Sequence, residues 1–170
     1  VSVGSVICHV RGSGEKCACT RRRPTIVSVT AHDEGMKIPR PRPCASCPYR
    51  TSVASGIWSK EEYQKLPRYD EETFAQPAEV FMCHQGDDKH VCSGWLGYGD
   101  PTELLAVRLG VMRGDLDPAC FDYETDVPLF ESGAAAAEHG IRDIRNPSEK
   151  AVRTIGKVVK TRAATGNHVT

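Results

Sequence analysis

Apolar residues recur at helical spacing in the middle of the chain, directly after a helix start signal. The sequence DPTE at 100–103 supplies a capping residue, a proline at the first helical position and an acidic first turn. The apolar positions that follow continue to Met112, and Arg113-Gly114 is a typical helix end. The pattern predicts a helix that begins at Asp100 and ends near Arg113.

A second amphipathic helix is predicted near the end of the chain. The sequence NPSE at 146–149 starts it, and Val152, Ile155 and Val159 then share one face. Basic residues occupy much of the remaining surface: Lys150, Arg153, Lys157 and Lys160. The alanines at 134–137 predict a short helix before it, ending at Gly140.

Three further elements are predicted before residue 100. The sequence SKEE at 59–62 is a capping box and predicts a helix to about Leu66, where Pro67 follows. Residues 74–81 end in a short apolar run that predicts one strand leading into Cys83. Alternating prolines at 39, 41 and 43 predict an extended leader into Cys44. Together these elements predict a small, loop-rich α+β domain.

The composition narrows the class of protein. No apolar run approaches the roughly 20 residues that cross a bilayer, so no contact with a membrane is expected. The chain holds eight cysteines beside 15 glycines and 11 prolines, which predicts that a metal at cysteines, more than a large core, staples the fold. Without a secretion signal, we expect a reducing, cytoplasmic setting in which thiols stay free.

Charge and sequence pattern divide the chain into three parts. Residues 1–35 lack periodicity and predict a disordered basic tail, and Met36 predicts a later true start that would exclude Cys8, Cys17 and Cys19. Residues 36–130 form the predicted cysteine-motif domain, which lies within the acidic middle of the chain. Residues 131–170 are predicted to hold a short helix and the basic amphipathic helix, which permits weak binding to nucleic acid.

Four cysteines have spacing typical of a metal site. Cys44 and Cys47 form a C-x-x-C half-site, and a polar, glycine-containing loop between Cys83 and Cys92 predicts a hairpin that joins the second half-site. We predict zinc bound by these four cysteines. Two histidines are possible alternative ligands, namely His84 and His90.

Other uses of the same cysteines remain open. An iron–sulfur cluster is the first alternative, because composition does not separate it from zinc. An open coordination site, as in a metal-dependent enzyme, is the second. A thioredoxin-like motif is disfavoured by the proline leader. A zinc deaminase signature, HDE at 32–34 with PCASC at 43–47, is disfavoured by the three prolines close to Cys44.

The joint pattern resembles a small family of unknown function found in actinobacteria and their bacteriophages. The resemblance covers about residues 40–115 and rests on these motifs: CASCPYR at 44–50, SGIW at 55–58, EYQKL at 62–66, FMCH at 81–84, CSGWL at 92–96 and LAVRL at 105–109. It implies that Cys44, Cys47, Cys83, His84 and Cys92 belong to one motif set. It implies no activity, and the expected setting is a bacterial or phage-infected host cell.

Three residues near the cysteines are expected to support the site. Trp58 and Trp95 are predicted to pack over the metal, and Arg50 to pair with nearby carboxylates or to donate to sulfur and loop carbonyls. No known catalytic template matches the sequence, so a structural metal site in an interaction module with a protein partner is favoured over an enzyme.

Overall fold

The structure is a computed structural model that describes residues 35–85 and 89–165, and within them it confirms a loop-rich α+β fold. The two strands are β1 (Ile38–Pro39) and β2 (His90–Val91). The α-helices are α1 (Lys60–Gln64), α2 (Ser93–Gly97), α3 (Leu105–Arg113), α4 (Gly133–Ile141) and α5 (Glu149–Thr165). None of these helices is long and apolar enough to span a membrane. Except for Gly35, the predicted tail with its three cysteines lies outside the described residues.

The proline leader is part of a small sheet. β1 pairs with β2 in parallel, with Ile38 opposite His90 and Pro39 opposite Val91. Proline has no N–H, and the bonds are instead donated by Ile38 N to Lys89 O at 3.0 Å and by Arg40 N to Val91 O at 3.2 Å. The missing donor of Pro39 therefore costs the ladder nothing, which is why a proline-rich segment can be a strand here.

The chain on the other side of β2 forms the predicted hairpin. Met82 and Val91 form an antiparallel bridge, Cys83 N donates to His90 O at 2.9 Å, and Cys92 N donates to Phe81 O at 2.9 Å. Val91, which is fully buried, thus lies between the leader and the arm that carries Cys83.

The strand predicted over residues 74–81 is wrong except at its end, where Phe81 and the residues after it pair with β2. The chain forms a 3-10 helix at Thr73–Ala75 and then runs without regular structure to residue 81. Phe74 is 85 % exposed, so the apolar residue that suggested the start of a buried strand does not enter the core. Pro77 interrupts the donors that a ladder would need.

Two predicted helices begin and end at other residues. Asp100 does accept a hydrogen bond from Thr102 N, but it caps a 3-10 helix, Pro101–Glu103. Leu104 is extended, and α3 begins only after it. α3 ends at Arg113 as predicted, because Gly114 adopts a left-handed φ of 76°. α1 ends at Gln64, and Pro67 lies within a following 3-10 helix, Leu66–Tyr69.

The two C-terminal helices pack into the same core as the cysteine-bearing segments. Gly140 of α4 lies against the ring of Tyr63, and an added Cβ would be 2.0 Å from that ring. Ala151 and Val158 of α5 are 0 % and 4 % exposed, although Val159 on the same helix is 55 % exposed. α5 therefore contributes one apolar edge to the core and leaves the rest of its surface in solvent.

We expect Gly140→Ala to lower the free energy of unfolding by about 1–3 kcal/mol, because the new methyl group would overlap the Tyr63 ring. Gly156→Ala is the matched control: no atom lies within 4 Å of its added Cβ, and alanine should stabilise the exposed helix by about 0.5–1 kcal/mol. Urea denaturation measures both, and equal effects would contradict the close packing of α4 on α1.

Candidate metal centre

Two of the four predicted ligands meet in the core. The Sγ atoms of Cys47 and Cys92 lie 3.7 Å apart, and their residues are only 1 % and 4 % exposed. Cys47 comes from the loop after the leader, whereas Cys92 follows β2 and precedes α2. The contact joins segments that are 45 positions apart in sequence.

The other two predicted ligands form a second pair. A hydrogen bond between the side chains of Cys44 and Cys83 is the largest cause that raises the pKa of Cys44 and lowers the pKa of Cys83 to about 5. The backbone N–H of Gln85 and the guanidinium of Arg40, whose Nη1 lies 3.6 Å from the Cys83 sulfur, act in the same direction on Cys83. The Cys83 sulfur is thus surrounded by donors that favour a thiolate.

The two pairs influence each other electrostatically. The hydrogen bond and burial are the largest causes that raise the pKa of Cys44, and negative charge on Cys83 and Cys92 raises it further. The pKa of Cys92 is raised mainly by Cys47 and by burial, and charge on Cys83 adds to this rise. A backbone hydrogen bond joins Cys47 to Cys44, the hairpin joins Cys83 to Cys92, and the sulfurs of Cys47 and Cys92 are in contact, so all four residues lie in one region of the protein. Among residues 35–85 and 89–165, however, no three His, Cys, Asp or Glu side chains are arranged so that they could hold a metal ion as they stand. A shared ion requires the pairs to draw together.

Gly94 makes room for the sulfur of Cys47. A Cβ at this position would lie 2.2 Å from Cys47 Sγ and 3.2 Å from the Cβ of Tyr49. Only a glycine lets the first turn of α2 approach the sulfur this closely. The backbone of Trp95 in the same turn donates a hydrogen bond that opposes the rise in the pKa of Cys92 caused by Cys47 and by burial.

The loop that carries Cys44 and Cys47 is held from two sides. Cys47 N donates to Cys44 O at 3.0 Å, which closes the turn. Arg50 Nη1 donates to Pro43 O at 3.3 Å and to Cys44 O at 3.5 Å, so it does donate to loop carbonyls as expected. Trp58 Nε1 donates to Ser46 O at 2.8 Å.

Trp95 is fully buried and packs against Tyr69 and Phe81.

The two predicted alternative ligands have different surroundings. His84 Nε2 lies 3.0 Å from Glu62 Oε2, and its ring packs on those of Trp58 and Phe81. That nitrogen is therefore already engaged by a carboxylate. His90 lies in β2 and lines a surface groove together with Cys44.

Three residues that contact this region were not predicted from the sequence. Arg40 donates to the Cys83 sulfur, and Glu62 contacts His84. Arg162 of α5 donates to His84 O at 3.1 Å, and its guanidinium lies 5.3 Å from the centre of the Trp58 ring. Each lies outside the cysteine motifs or on another element, so local spacing gave no signal. Of these three residues, only Glu62 belongs to a motif on which the family resemblance rests, EYQKL at 62–66.

Buried polar atoms without hydrogen-bond partners also concentrate here. Within the described residues they are Tyr49 Oη, Arg50 Nε, Ser93 Oγ and Trp95 Nε1. All four residues follow Cys47 or Cys92 within three positions. Unpaired buried donors cost stability, and natural proteins concentrate such costs at functional sites.

Comparison of the sequence with models of protein families shows to which family the chain belongs. Residues 39–162 match the model of DUF6283, a family of unknown function, which is well over half of the chain. The chain belongs to the DUF6283 family. The DUF6283 match contains all four paired cysteines and extends through α4 to Arg162 of α5. No curated protein and no solved structure matches the chain.

In this DUF6283 chain we expect Gly94→Ala to lower the free energy of unfolding by about 1–3 kcal/mol, because the methyl group would displace the Cys47 sulfur. Gly99→Ala is the control, since no atom lies within 4 Å of its added Cβ. Urea denaturation under reducing conditions measures both. A Gly94→Ala protein as stable as the control would show that the close approach of α2 to Cys47 is absent in solution.

The ion pair of Glu62 predicts a dependence of stability on pH. The hydrogen bond to His84 is the main cause that lowers the pKa of Glu62 to about 2 from an ordinary 4.5. A carboxylate with a lowered pKa stabilises the fold fully above its unfolded-state pKa, and this contribution is lost as the pH falls towards 2. Because a third of the Glu62 side chain is exposed, we expect about 0.5–1 kcal/mol.

The measurement is the difference in free energy of unfolding between wild type and Glu62→Gln. We expect it to be constant above about pH 5 and to vanish towards pH 2. Contributions shared by the two proteins cancel in this difference. Glu138→Gln, on the exposed side of α4, is the control. A difference for Glu62→Gln that does not change over this range would contradict the role of the Glu62 contacts with His84 and Lys65.

Proposed function

We propose that the protein binds one zinc ion through Cys44, Cys47, Cys83 and Cys92, and that the ion has a structural role in a protein-interaction module. The observation that carries the proposal is the 3.7 Å contact between the sulfurs of Cys47 and Cys92. Sulfurs that are each about 2.3 Å from one tetrahedral ion lie about 3.8 Å from each other. The buried pair therefore already has the separation that a shared ion requires.

The same distance favours a single ion over a four-iron cluster. In a four-iron cluster each cysteine binds a different iron, and bridging sulfides hold those irons apart, so the cysteine sulfurs are more widely separated. Bringing the hydrogen-bonded pair of Cys44 and Cys83 towards the buried pair would complete four thiolate ligands. The donors around Cys83, from Arg40 and Gln85, support the negative charge of such a centre.

A structural role agrees with what the cysteines connect. Cys44 and Cys47 belong to a loop with no regular structure, and Cys83 and Cys92 flank a hairpin with one two-residue strand. Short elements of this kind have few ladder bonds of their own, and a metal that binds only the folded form adds its binding free energy to folding. All five cysteines in the described part of the chain are free, which suits a reducing cytoplasm.

The module also needs a surface for its partner, and α5 provides a basic one. Arg153, Lys157 and Lys160 are exposed on this helix beside Val152 and Val159. This mixture of charge and apolar area suits an acidic protein partner, and phosphate groups of a nucleic acid would bind weakly to the same face.

Metal analysis of anaerobically purified protein tests the proposal. We expect one zinc per chain and no colour; a brown protein with iron and sulfide would instead indicate a cluster. Replacing any one of the four cysteines by serine should release the metal or unfold the protein, because a thiolate is lost from the site. A metal-free wild type with full stability would refute the proposal.

Cys120→Ser is the matched control for these variants. Cys120 is fully buried, and burial is the main cause that raises its pKa to about 12. The causes of this shift, burial and the charge of Asp117, include none of the four proposed ligands, so Cys120 lies outside their cluster. We expect the Cys120→Ser protein to retain its metal, and loss of metal from it alone would place the site elsewhere.

A further inference from the structure

Cys44 differs from the other three proposed ligands in its access to solvent. Cys47, Cys83 and Cys92 are buried, whereas Cys44 is only partly buried. A groove of about 510 Å³ opens beside it and is lined by Arg40, Pro41, Arg42, Pro43, Cys44 and His90. Cys44 is therefore the one of the four residues that borders an opening to solvent.

We propose that Cys44 is the site at which a hydroperoxide oxidises this protein, and that Cys83 then forms a disulfide with it. The consequence, release of the metal ion, rests on the proposed function. The site of oxidation rests on the groove together with an ion that deprotonates all four thiols, and the choice of disulfide partner rests on the groove and the sulfur contacts.

Access ranks Cys44 first. When four thiolates bind one metal ion, all of them are deprotonated, so acidity no longer distinguishes them. Oxidation then follows exposure, and the groove exposes Cys44. The Cys47 sulfur is enclosed by Gly94 and by Cys92, which leaves no comparable route to it.

Contacts select Cys83 as the partner. The sulfur of Cys47 contacts that of Cys92 at 3.7 Å, so Cys83 is the thiol left to pair with Cys44. Arg40 Nη1, 3.6 Å from the Cys83 sulfur, holds this sulfur at the groove. The pairing therefore crosses from the loop to the hairpin, rather than closing within the C-x-x-C motif.

The reaction balances in two steps. The Cys44 thiolate attacks a peroxide oxygen, the O–O bond breaks, and a sulfenic acid forms while the leaving oxyanion takes a proton from water. The Cys83 thiolate then attacks the Cys44 sulfur, an S–S bond forms, the S–O bond breaks and hydroxide leaves. Two thiolates have lost two electrons, and the hydroperoxide has been reduced by two. Only two thiolates remain for the metal.

Stepwise addition of hydrogen peroxide to reduced, metal-loaded protein tests the proposal. Dimedone traps sulfenic acid, a chromogenic chelator reports free zinc, and peptide mapping identifies the modified cysteines. We expect Cys44 to be labelled about tenfold faster than the other three, the first disulfide to be Cys44–Cys83, and one ion to be released per disulfide. Cys120 should remain unmodified throughout.

The outcomes separate this inference from the proposed function. A first disulfide within the C-x-x-C motif, a first disulfide between Cys47 and Cys92, or equal labelling of all four would overturn the inference while the metal site stands. A reduced protein that purifies without metal overturns the proposed function and the release step. Mapping of the metal-free protein would then still support or overturn the Cys44–Cys83 disulfide.

A charge reversal tests the route. Arg42 is exposed, and its ion pair with Asp126 lies at the surface, so Arg42→Glu should leave the fold intact. We expect this variant to slow alkylation of Cys44 by anionic iodoacetate about threefold relative to neutral iodoacetamide. Arg68→Glu, an exposed position that does not line the groove, is the matched control. Equal ratios in both variants would overturn the groove as the route.

Discussion

The contact between the sulfurs of Cys47 and Cys92 is the constraint on which the rest of this structure depends. It fixes a loop without regular structure against the start of α2 at a separation of 3.7 Å. A side chain on Gly94 would abolish it, and the turn of that loop is closed by the backbone of Cys44 and Cys47. The contact is a hydrogen bond between two buried thiols, and its length is also the separation that sulfurs on one shared ion have. This coincidence is what the proposed metal site rests on.

Residues from distant parts of the chain surround the sulfurs and contact one another in sequence. Trp58 donates to the cysteine loop, His84 packs on Trp58, and Glu62 and Arg162 hold His84 from α1 and α5. The C-terminal helix thus belongs to the support of the cysteine region, which agrees with a family match that extends to residue 162.

The two half-sites could be anticipated from local spacing, but the contact of Cys47 with Cys92 could not, because it joins residues 45 positions apart. A C-x-x-C turn and a polar loop between Cys83 and Cys92 each constrain their own neighbourhood, and the hairpin pairing of Cys83 with His90 follows from that loop. The rest depends on contacts between distant residues. The proline leader can pair with β2 because the ladder uses the N–H groups of Ile38 and Arg40 and none from Pro39. The apolar residues at 74–81 suggest a strand, yet Phe74 is exposed to solvent. Periodicity carries no information about either outcome.

The asymmetry among the four sulfurs follows from the same construction. The buried pair is enclosed because α2 must approach Cys47 closely enough to require a glycine. The other pair lies where the leader passes β2, and a leader of alternating prolines and arginines cannot cover a sulfur as a helix does. One half of the cysteine region is consequently packed as core and the other faces a basic groove. This difference between the two halves is the reason that the proposed oxidation begins at Cys44 and not at the enclosed pair.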